Sequence, residues 1–147
     1  MEIGVDSLVS VEDADRYFEA RGNDRWAALT VAQKDAAIVQ GTDYIALNYR
    51  FAGEPTGALP FPRVGDGGAI PELVGRATAE AALRAHYGEL MPDRGAAVTE
   101  ETVGPITTKY AAGGSTGAVT FPVIDALLAG FLLKETTAVI NVQARIR

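Results

Sequence analysis

The sequence has no cysteine and only one histidine, His86, among its 147 residues. The absence of cysteine excludes disulfide bonds and thiolate metal sites, and it is compatible with a reducing cytoplasm. No run of about 18 apolar residues is present, so we predict no membrane-spanning segment. Residues 1–10 (MEIGVDSLVS) lack the basic start and the long apolar stretch of a signal peptide, and we expect none.

Basic residues are also scarce: 13 lysines and arginines face 19 acids, which gives a net charge of −6. Nucleic-acid-binding proteins usually carry a basic face that neutralises phosphates, so this composition argues against DNA binding by default and leaves room only for a local basic patch. An acidic surface would let DNA slide past by like-charge repulsion, although ordinary solubility gives the same net charge.

The first half of the chain predicts two helices. The first begins after Ser10, a good N-cap followed by several acids, and residues 22–23 (Gly-Asn) end it. The second begins after Thr30, whose spacing to Gln33 is that of a capping box, and runs to about Asn48. Its apolar stripe consists of Val31, Ile38, Thr42, Ile45 and Tyr49, widened by Val39 and Ala46.

Two further features of this half concern packing. Gly41 lies in the middle of the second helix, where glycine lowers helix stability by about 1 kcal/mol relative to alanine. Close approach of another helix at this position is one reason for a glycine there. Trp26, just before that helix, is predicted to be a core or hinge anchor because of the area it can bury.

A long connection, residues 50–69, follows the second helix. Pro60 and Pro62 force extended geometry on the residues before them, so residues 59–63 (LPFPR) predict an ordered strap with Phe61 packed inward. A loop of this length inside a compact domain is often functional.

The second half predicts two more helices. The third covers about residues 70–90, with Pro71 in its first turn, and the fourth starts near Pro122. Arg76, Glu80 and Arg84 are spaced to pair along the outer face of the third helix. Its predicted core stripe consists of Leu73, Val74, Ala77, Ala81 and Ala85.

Residues 97–112 are rich in strand-forming types interrupted by Gly104-Pro105, which predicts a bent strand or a β-hairpin. Apolar and polar residues alternate over the last part of the chain, the pattern of a half-buried strand. This terminal strand could pair with the strands near 98–110 of its own subunit or add to a sheet of a partner.

These elements predict a mainly α fold of the α+β class: a four-helix core with a β-hairpin or strand region and a C-terminal extended strand. We divide the chain into residues 1–133, a helical domain with the β-element at about 97–112, and residues 134–147, an extended tail predicted to contact a partner.

The sequence contains no recognisable catalytic, phosphate-binding or metal-binding motif. His86 has no serine, cysteine or acid in a known motif with it, and we interpret it as a partly exposed helix residue. The glycine-rich loop 113–117 lacks the lysine of a phosphate-binding loop, and the turn 65–68 lacks the repeated acids of a calcium loop. Glu12, Asp13 and Asp15 are interpreted as helix-start charges. We therefore predict no catalytic residue, no cofactor, no metal and no enzymatic activity.

The chain resembles the small head–tail connector (adaptor) proteins of tailed phages, including the group labelled DnaT-like single-stranded-DNA-binding proteins. Matching segments extend over nearly the whole chain, and it is their order and spacing together that are specific. The segments are 13–23 (DADRYFEARGN) with Trp26, 36–38 (AAI), 42–45 (TDYI), 49–51 (YRF), 59–63 (LPFPR), 70–71 (IP), 77–83 (ATAEAAL), 103–106 (VGPI) to Tyr110, and 121–128 (FPVIDALL).

The resemblance implies a virion structural protein at the head–tail interface, assembled in the host cytoplasm. In such families a homo-oligomeric ring, usually of twelve subunits, docks beneath the portal protein, continues the DNA channel and offers a platform for a tail-side completion or terminator protein. DNA passes through without sequence-specific binding, and no membrane is involved.

A terminal segment of such proteins commonly reaches into the portal, and the alternating tail is the candidate here. From Lys134 onward three bases and one acid give a charge of +2, whereas residues 1–133 sum to −8. The predicted portal-contact residues are Ile140, Val142, Ala144, Arg145, Ile146 and Arg147.

Two other functions remain open. The first is a single-stranded-DNA-binding replication accessory protein, which would need a basic groove and aromatic stacking platforms. The bases are scattered, and most of the eleven aromatic residues fall where a core would need them. The second is a small enzyme, which would need a pocket with a strongly perturbed titrating group.

Overall fold

A computed structural model describes residues 1–90, 100–103, 106–109 and 120–134 of the chain. Five α-helices are present among these residues, so the mainly helical class is confirmed. They are α1 (Val11–Glu19), α2 (Asp24–Ala27), α3 (Val31–Asn48), α4 (Glu72–His86) and α5 (Pro122–Leu128), the last followed by a 3-10 turn at Ala129–Phe131.

The starts of α1, α2 and α3 follow from side chains that satisfy free backbone N–H groups of the first turn. The Ser10 hydroxyl accepts a bond from the Asp13 amide at 3.0 Å, and Thr30 and Gln33 form the predicted capping box. The short helix α2 was missed by the sequence analysis. Asn23, predicted only to end the first helix, caps α2 by accepting from the Trp26 amide at 3.2 Å.

Helix α4 begins at Glu72, directly after Pro71, and ends earlier than predicted. It stops at His86 because Gly88 turns the chain with a φ of +71°, a left-handed conformation that glycine adopts without steric cost. Leu90, predicted to lie in the helix, is buried outside it.

The core forms two apolar clusters that share α3 and α4. One surrounds Phe18 and Trp26, and the other surrounds Phe51, Phe61 and Ile124. Trp26 is therefore a core residue, as predicted, with 1% of its surface exposed. The helices α3 and α4 approach closely at Gly41.

Parts of the predicted apolar stripes are wrong. Val31, Val39 and Ala46 of α3 and Leu73 of α4 are exposed, whereas Ile38, Thr42 and Ile45 of α3 and Val74, Ala77 and Ala81 of α4 are buried as predicted. The buried stripe of α3 is narrower than its apolar composition suggested, because only one side of this helix meets α4.

The strap of residues 50–69 packs as predicted, with Phe61 only 2% exposed. Its first residues pair with the segment after α5: the Ala52 amide donates to the Phe131 carbonyl at 3.0 Å, and the Leu133 amide donates to the Arg50 carbonyl at 2.9 Å. The strap therefore closes one end of the helical body.

Two four-residue strands, Glu100–Val103 and Ile106–Lys109, pair antiparallel with Glu100 opposite Lys109. No sheet occurs in residues 1–90 and 120–134, so the core is helical and a β-hairpin as part of that core is not supported. The predicted C-terminal strand, and with it the division of the chain after residue 133, falls on residues 135–147, outside the described residues, and stays a prediction.

Candidate binding surfaces

A groove of about 520 Å³ lies between α1 and α4. Apolar residues of the N-terminal segment and of the connection before α4 line it, among them Leu8, Val9 and Ile70, together with Tyr17 of α1 and Ala79 of α4. Three arginines, Arg16, Arg21 and Arg76, also line the groove. We call this feature the α1–α4 groove.

Two of the three arginines form ion pairs that are exposed. Arg16 pairs with Asp13 at 3.4 Å, and Arg76 pairs with Glu72 one helical turn earlier. Exposed pairs of this kind contribute about 0–1 kcal/mol to stability, so they can exchange partners at little cost. The α1–α4 groove thus offers guanidinium groups to an incoming anionic group.

Arg21 interacts with the aromatic ring beside it. Its guanidinium carbon lies 3.7 Å from the Tyr17 ring centroid, and it donates to the Tyr17 carbonyl at 2.9 Å. The Tyr17 hydroxyl donates to Glu80 at 2.8 Å; burial first, and this bond second, raise the pKa of Tyr17 above its usual value. One face of the ring is therefore covered, which limits its use for stacking a nucleobase.

Other basic residues of the helical body are engaged with acids. Lys34 binds Asp15 at 2.8 Å, and Arg84 binds Glu80 at 2.6 Å. The predicted ladder on α4 is therefore correct for Arg84 and Glu80, but Arg76 turns to Glu72 instead, and the Arg84–Glu80 pair is largely buried rather than outward-facing.

The aromatic side chains are mostly internal, as the sequence predicted. The buried ones are Phe18, Trp26, Tyr44, Phe51, Phe61 and Phe121. Tyr87 is 40% exposed, but the Arg25 guanidinium carbon lies 3.9 Å from its ring centroid. Among the described residues, the surface lacks the row of free rings on which single-stranded nucleic acid stacks.

A second surface of interest is the outward side of α3. Val39, Asp43 and Leu47 follow each other at four-residue spacing and are all exposed, Val39 by 37% and Leu47 by 77%. Asp35 lies beside this row, one turn before Val39. We call these four residues the α3 outer face.

Of the acids interpreted as helix-start charges, Glu12 and Asp13 lie in the first turn of α1, whereas Asp15 binds Trp26 and Lys34 instead. The Asp13 carboxylate accepts from the Ser10 hydroxyl at 2.9 Å, and Asp15 accepts from the Trp26 indole N–H at 2.7 Å. In the 65–68 turn, Asp66 accepts from the Arg63 amide at 2.7 Å. No group of three or more acids or histidines suited to a metal ion was found within the described ranges.

His86 lies at the last position of α4 and is half-buried, with its ring centroid 4.9 Å from that of Tyr87 in an edge-to-face contact. This agrees with the prediction of a partly exposed helix residue. None of the helices that the structure describes is long and apolar enough to cross a membrane.

The predicted portal-contact residues, Ile140 to Arg147, and the loop 113–117 lie outside the described residues. The α1–α4 groove was missed by the sequence analysis, because its basic residues come from helices about 60 positions apart in sequence and no local motif joins them. The clearest local signal was the four-residue spacing of Tyr17 and Arg21, which places a ring and a guanidinium one turn apart at the end of α1.

The comparison with protein families identifies the class of protein to which this fold belongs. The family described as "Putative DnaT-like ssDNA binding protein" matches residues 1–146, so the chain belongs to that family. The predicted likeness to the DnaT-like group is therefore confirmed, and nothing in the comparisons names a head–tail connector. No curated protein and no solved structure matches the chain.

Proposed function

We propose that the protein works by contact rather than catalysis, as a subunit of a head–tail connector ring of a tailed phage. In this role it assembles in the host cytoplasm and remains in the virion beneath the portal protein. The ring continues the DNA channel and carries a tail-side completion or terminator protein. The sequence resemblance to connector proteins is the origin of this proposal.

The proposal rests on the net negative charge of the described helical residues, on the burial of most of their aromatic rings and on the pairing of several bases with acids. Residues 1–90 and 120–134 contain 9 bases and 15 acids, a net charge of −6. Most of the aromatic rings are in the core, and several bases are already paired with acids. A body of this kind repels phosphate over most of its surface, which suits a wall past which DNA moves.

Single-stranded-DNA binding is the second candidate, and the family match favours it because the family description names this activity. The α1–α4 groove supports it as well, since its three arginines could contact a phosphate backbone. Against it stand the covered Tyr17 ring and the acidic net charge.

Binding of the full chain to a fluorescently labelled oligonucleotide separates the two candidates. We expect no salt-dependent anisotropy change at micromolar protein concentration, with or without Arg21→Glu. A tight complex that weakens steeply with salt and is lost in Arg21→Glu would favour the replication-accessory function. Arg50→Glu, a reversal of charge at an exposed arginine outside the groove, is the matched control.

The portal contact is tested separately by truncation. A chain that ends at Lys134 lacks all the predicted portal-contact residues, and we expect it to lose affinity for purified portal protein. Undiminished binding would refute the tail as the contact. We also expect the free subunit to be monomeric and the ring to form on the portal; a stable dodecamer in dilute solution would contradict that point alone.

A further inference from the structure

We infer that the α1–α4 groove of one copy receives the α3 outer face of the next copy. This inference rests on the proposed ring and specifies its subunit contact. Its occupant is a second copy of the chain, because the two surfaces are complementary in charge and both carry apolar side chains.

The groove is a positive site on a negative body. Three arginines, Arg16, Arg21 and Arg76, and two acids, Asp13 and Glu72, line it, which gives the lining a net charge of +1. The remaining lining is largely apolar, and Ile3 is 51% exposed there. An apolar surface that carries carboxylates would therefore complement this groove.

The α3 outer face is such a surface. Val39 and Leu47 give it apolar side chains, and Asp35 and Asp43 give it negative charge. The one basic residue of α3, Lys34, is only 12% exposed and is bound to Asp15, so it does not neutralise this face. Val39 and Asp43 also border a cleft with Val5, Asp6 and Leu59, and the buried side of α3 packs on α4.

The two surfaces differ in charge and belong to different helices, which makes their contact head-to-tail. Each copy that docks leaves one groove and one outer face unused, so the contact can repeat and close into a ring. Pairing a groove with another groove would instead bring the arginines together and repel.

Disulfide trapping tests this contact on the full-length protein. The chain has no cysteine, so introduced thiols are the only ones that can react. Ala20→Cys places a thiol at the groove, where Ala20 is exposed, and Leu47→Cys places one on the outer face. Mixing the two chains under mild oxidation should give a disulfide-linked heterodimer.

The control replaces Leu47→Cys by Val31→Cys, since Val31 is 68% exposed in the first turn of the same helix and lies about 160° around the helix axis from Leu47. We expect the heterodimer to be lost with this control. Equal trapping with Val31→Cys, or a homodimer of Ala20→Cys as abundant as the heterodimer, would overturn the inference.

Charge reversal provides a second readout that does not depend on the thiol positions alone. Arg21→Glu with Arg76→Glu should abolish trapping, as should Asp35→Lys with Asp43→Lys. Trapping should return when the reversed groove is mixed with the reversed face. Absence of recovery would contradict the charge complementarity.

The outcomes also separate this inference from the proposed function. If the protein is present in phage particles but no specific disulfide forms, the connector function stands and this contact is refuted. If the specific disulfide forms but the protein is absent from phage particles, the contact stands and the connector function is refuted. Oligonucleotide binding that the groove reversals abolish would assign the groove to nucleic acid and overturn the inference.

Discussion

At the scale of single residues, the most informative contact joins α3 to α5. Tyr49, just after α3, donates its hydroxyl to the Asp125 carboxylate at 2.5 Å. Its ring also lies 6.1 Å from that of Tyr44 in an edge-to-face contact. This bond from a partly buried hydroxyl to a carboxylate links the end of α3 to α5, whose Ile124 and Leu128 are packed in the core.

Replacing Tyr49 by phenylalanine should therefore destabilise the fold. Tyr49→Phe keeps the ring but leaves the Asp125 carboxylate without this donor, and we expect a loss of about 1–3 kcal/mol in the free energy of unfolding. Tyr87→Phe is the control, because its hydroxyl bonds a backbone carbonyl on an exposed part of the surface. Equal midpoints of urea unfolding for both variants would contradict this account.

The same residue predicts how stability depends on alkaline pH. Burial first, and the bond to Asp125 second, raise the pKa of Tyr49 well above that of the unfolded chain, which is about 10. Above that pH the unfolded chain loses the proton first, so stability is complete below about pH 10 and falls as the pH rises further.

The fall should be shallower in Tyr49→Phe than in the parent chain, as measured by urea unfolding between neutral and strongly alkaline pH. It should not vanish, because burial also raises the pKa of Tyr17 and of Tyr44. If the free energy of unfolding falls equally with pH in both chains, groups other than Tyr49 cause the loss of stability at alkaline pH.

At the scale of elements, the contact between α3 and α4 depends on Gly41. A Cβ atom added there would lie 2.7 Å from the Ala82 amide nitrogen and 2.9 Å from the Thr78 carbonyl oxygen. Both are backbone atoms that can move only if the helices separate. The close approach that the sequence suggested as one reason for this glycine is therefore confirmed.

Gly41→Ala should destabilise the protein even though alanine favours a helix by about 1 kcal/mol. We expect overpacking to cost about 1–3 kcal/mol and to outweigh that gain. Gly75→Ala in α4 is the matched control, because its added Cβ would meet the Val9 side chain at an ordinary 3.5 Å. It should be neutral or stabilising in thermal unfolding, and a gain in stability for Gly41→Ala would refute the argument.

Local signals explain why most elements could be predicted from sequence. Capping at Ser10 and Thr30 acts within three residues, so the starts of α1 and α3 were readable. Helix α2 was missed because its four residues are too few for an apolar period to appear. The exposure of Val31 and Leu73 could not be predicted, since it depends on which side of each helix meets a neighbour.

At the scale of the whole molecule, the candidate surfaces were the least predictable feature. The α1–α4 groove joins Arg16 and Arg76 across about 60 positions, and only the packing of the helices brings them together. The inward position of Phe61 was predictable because the flanking prolines restrict the strap. The function of the whole chain therefore depends on which molecules, further copies or partner proteins, bind these surfaces.

Quantitative mass spectrometry of purified phage particles from the source tests the central claim most directly. The connector proposal predicts about one copy of the protein for each portal subunit, because a ring beneath the portal repeats with the portal's own symmetry. Absence from particles, together with abundance in infected cells, would contradict the proposal. Single-stranded-DNA binding in replication would then become the leading function.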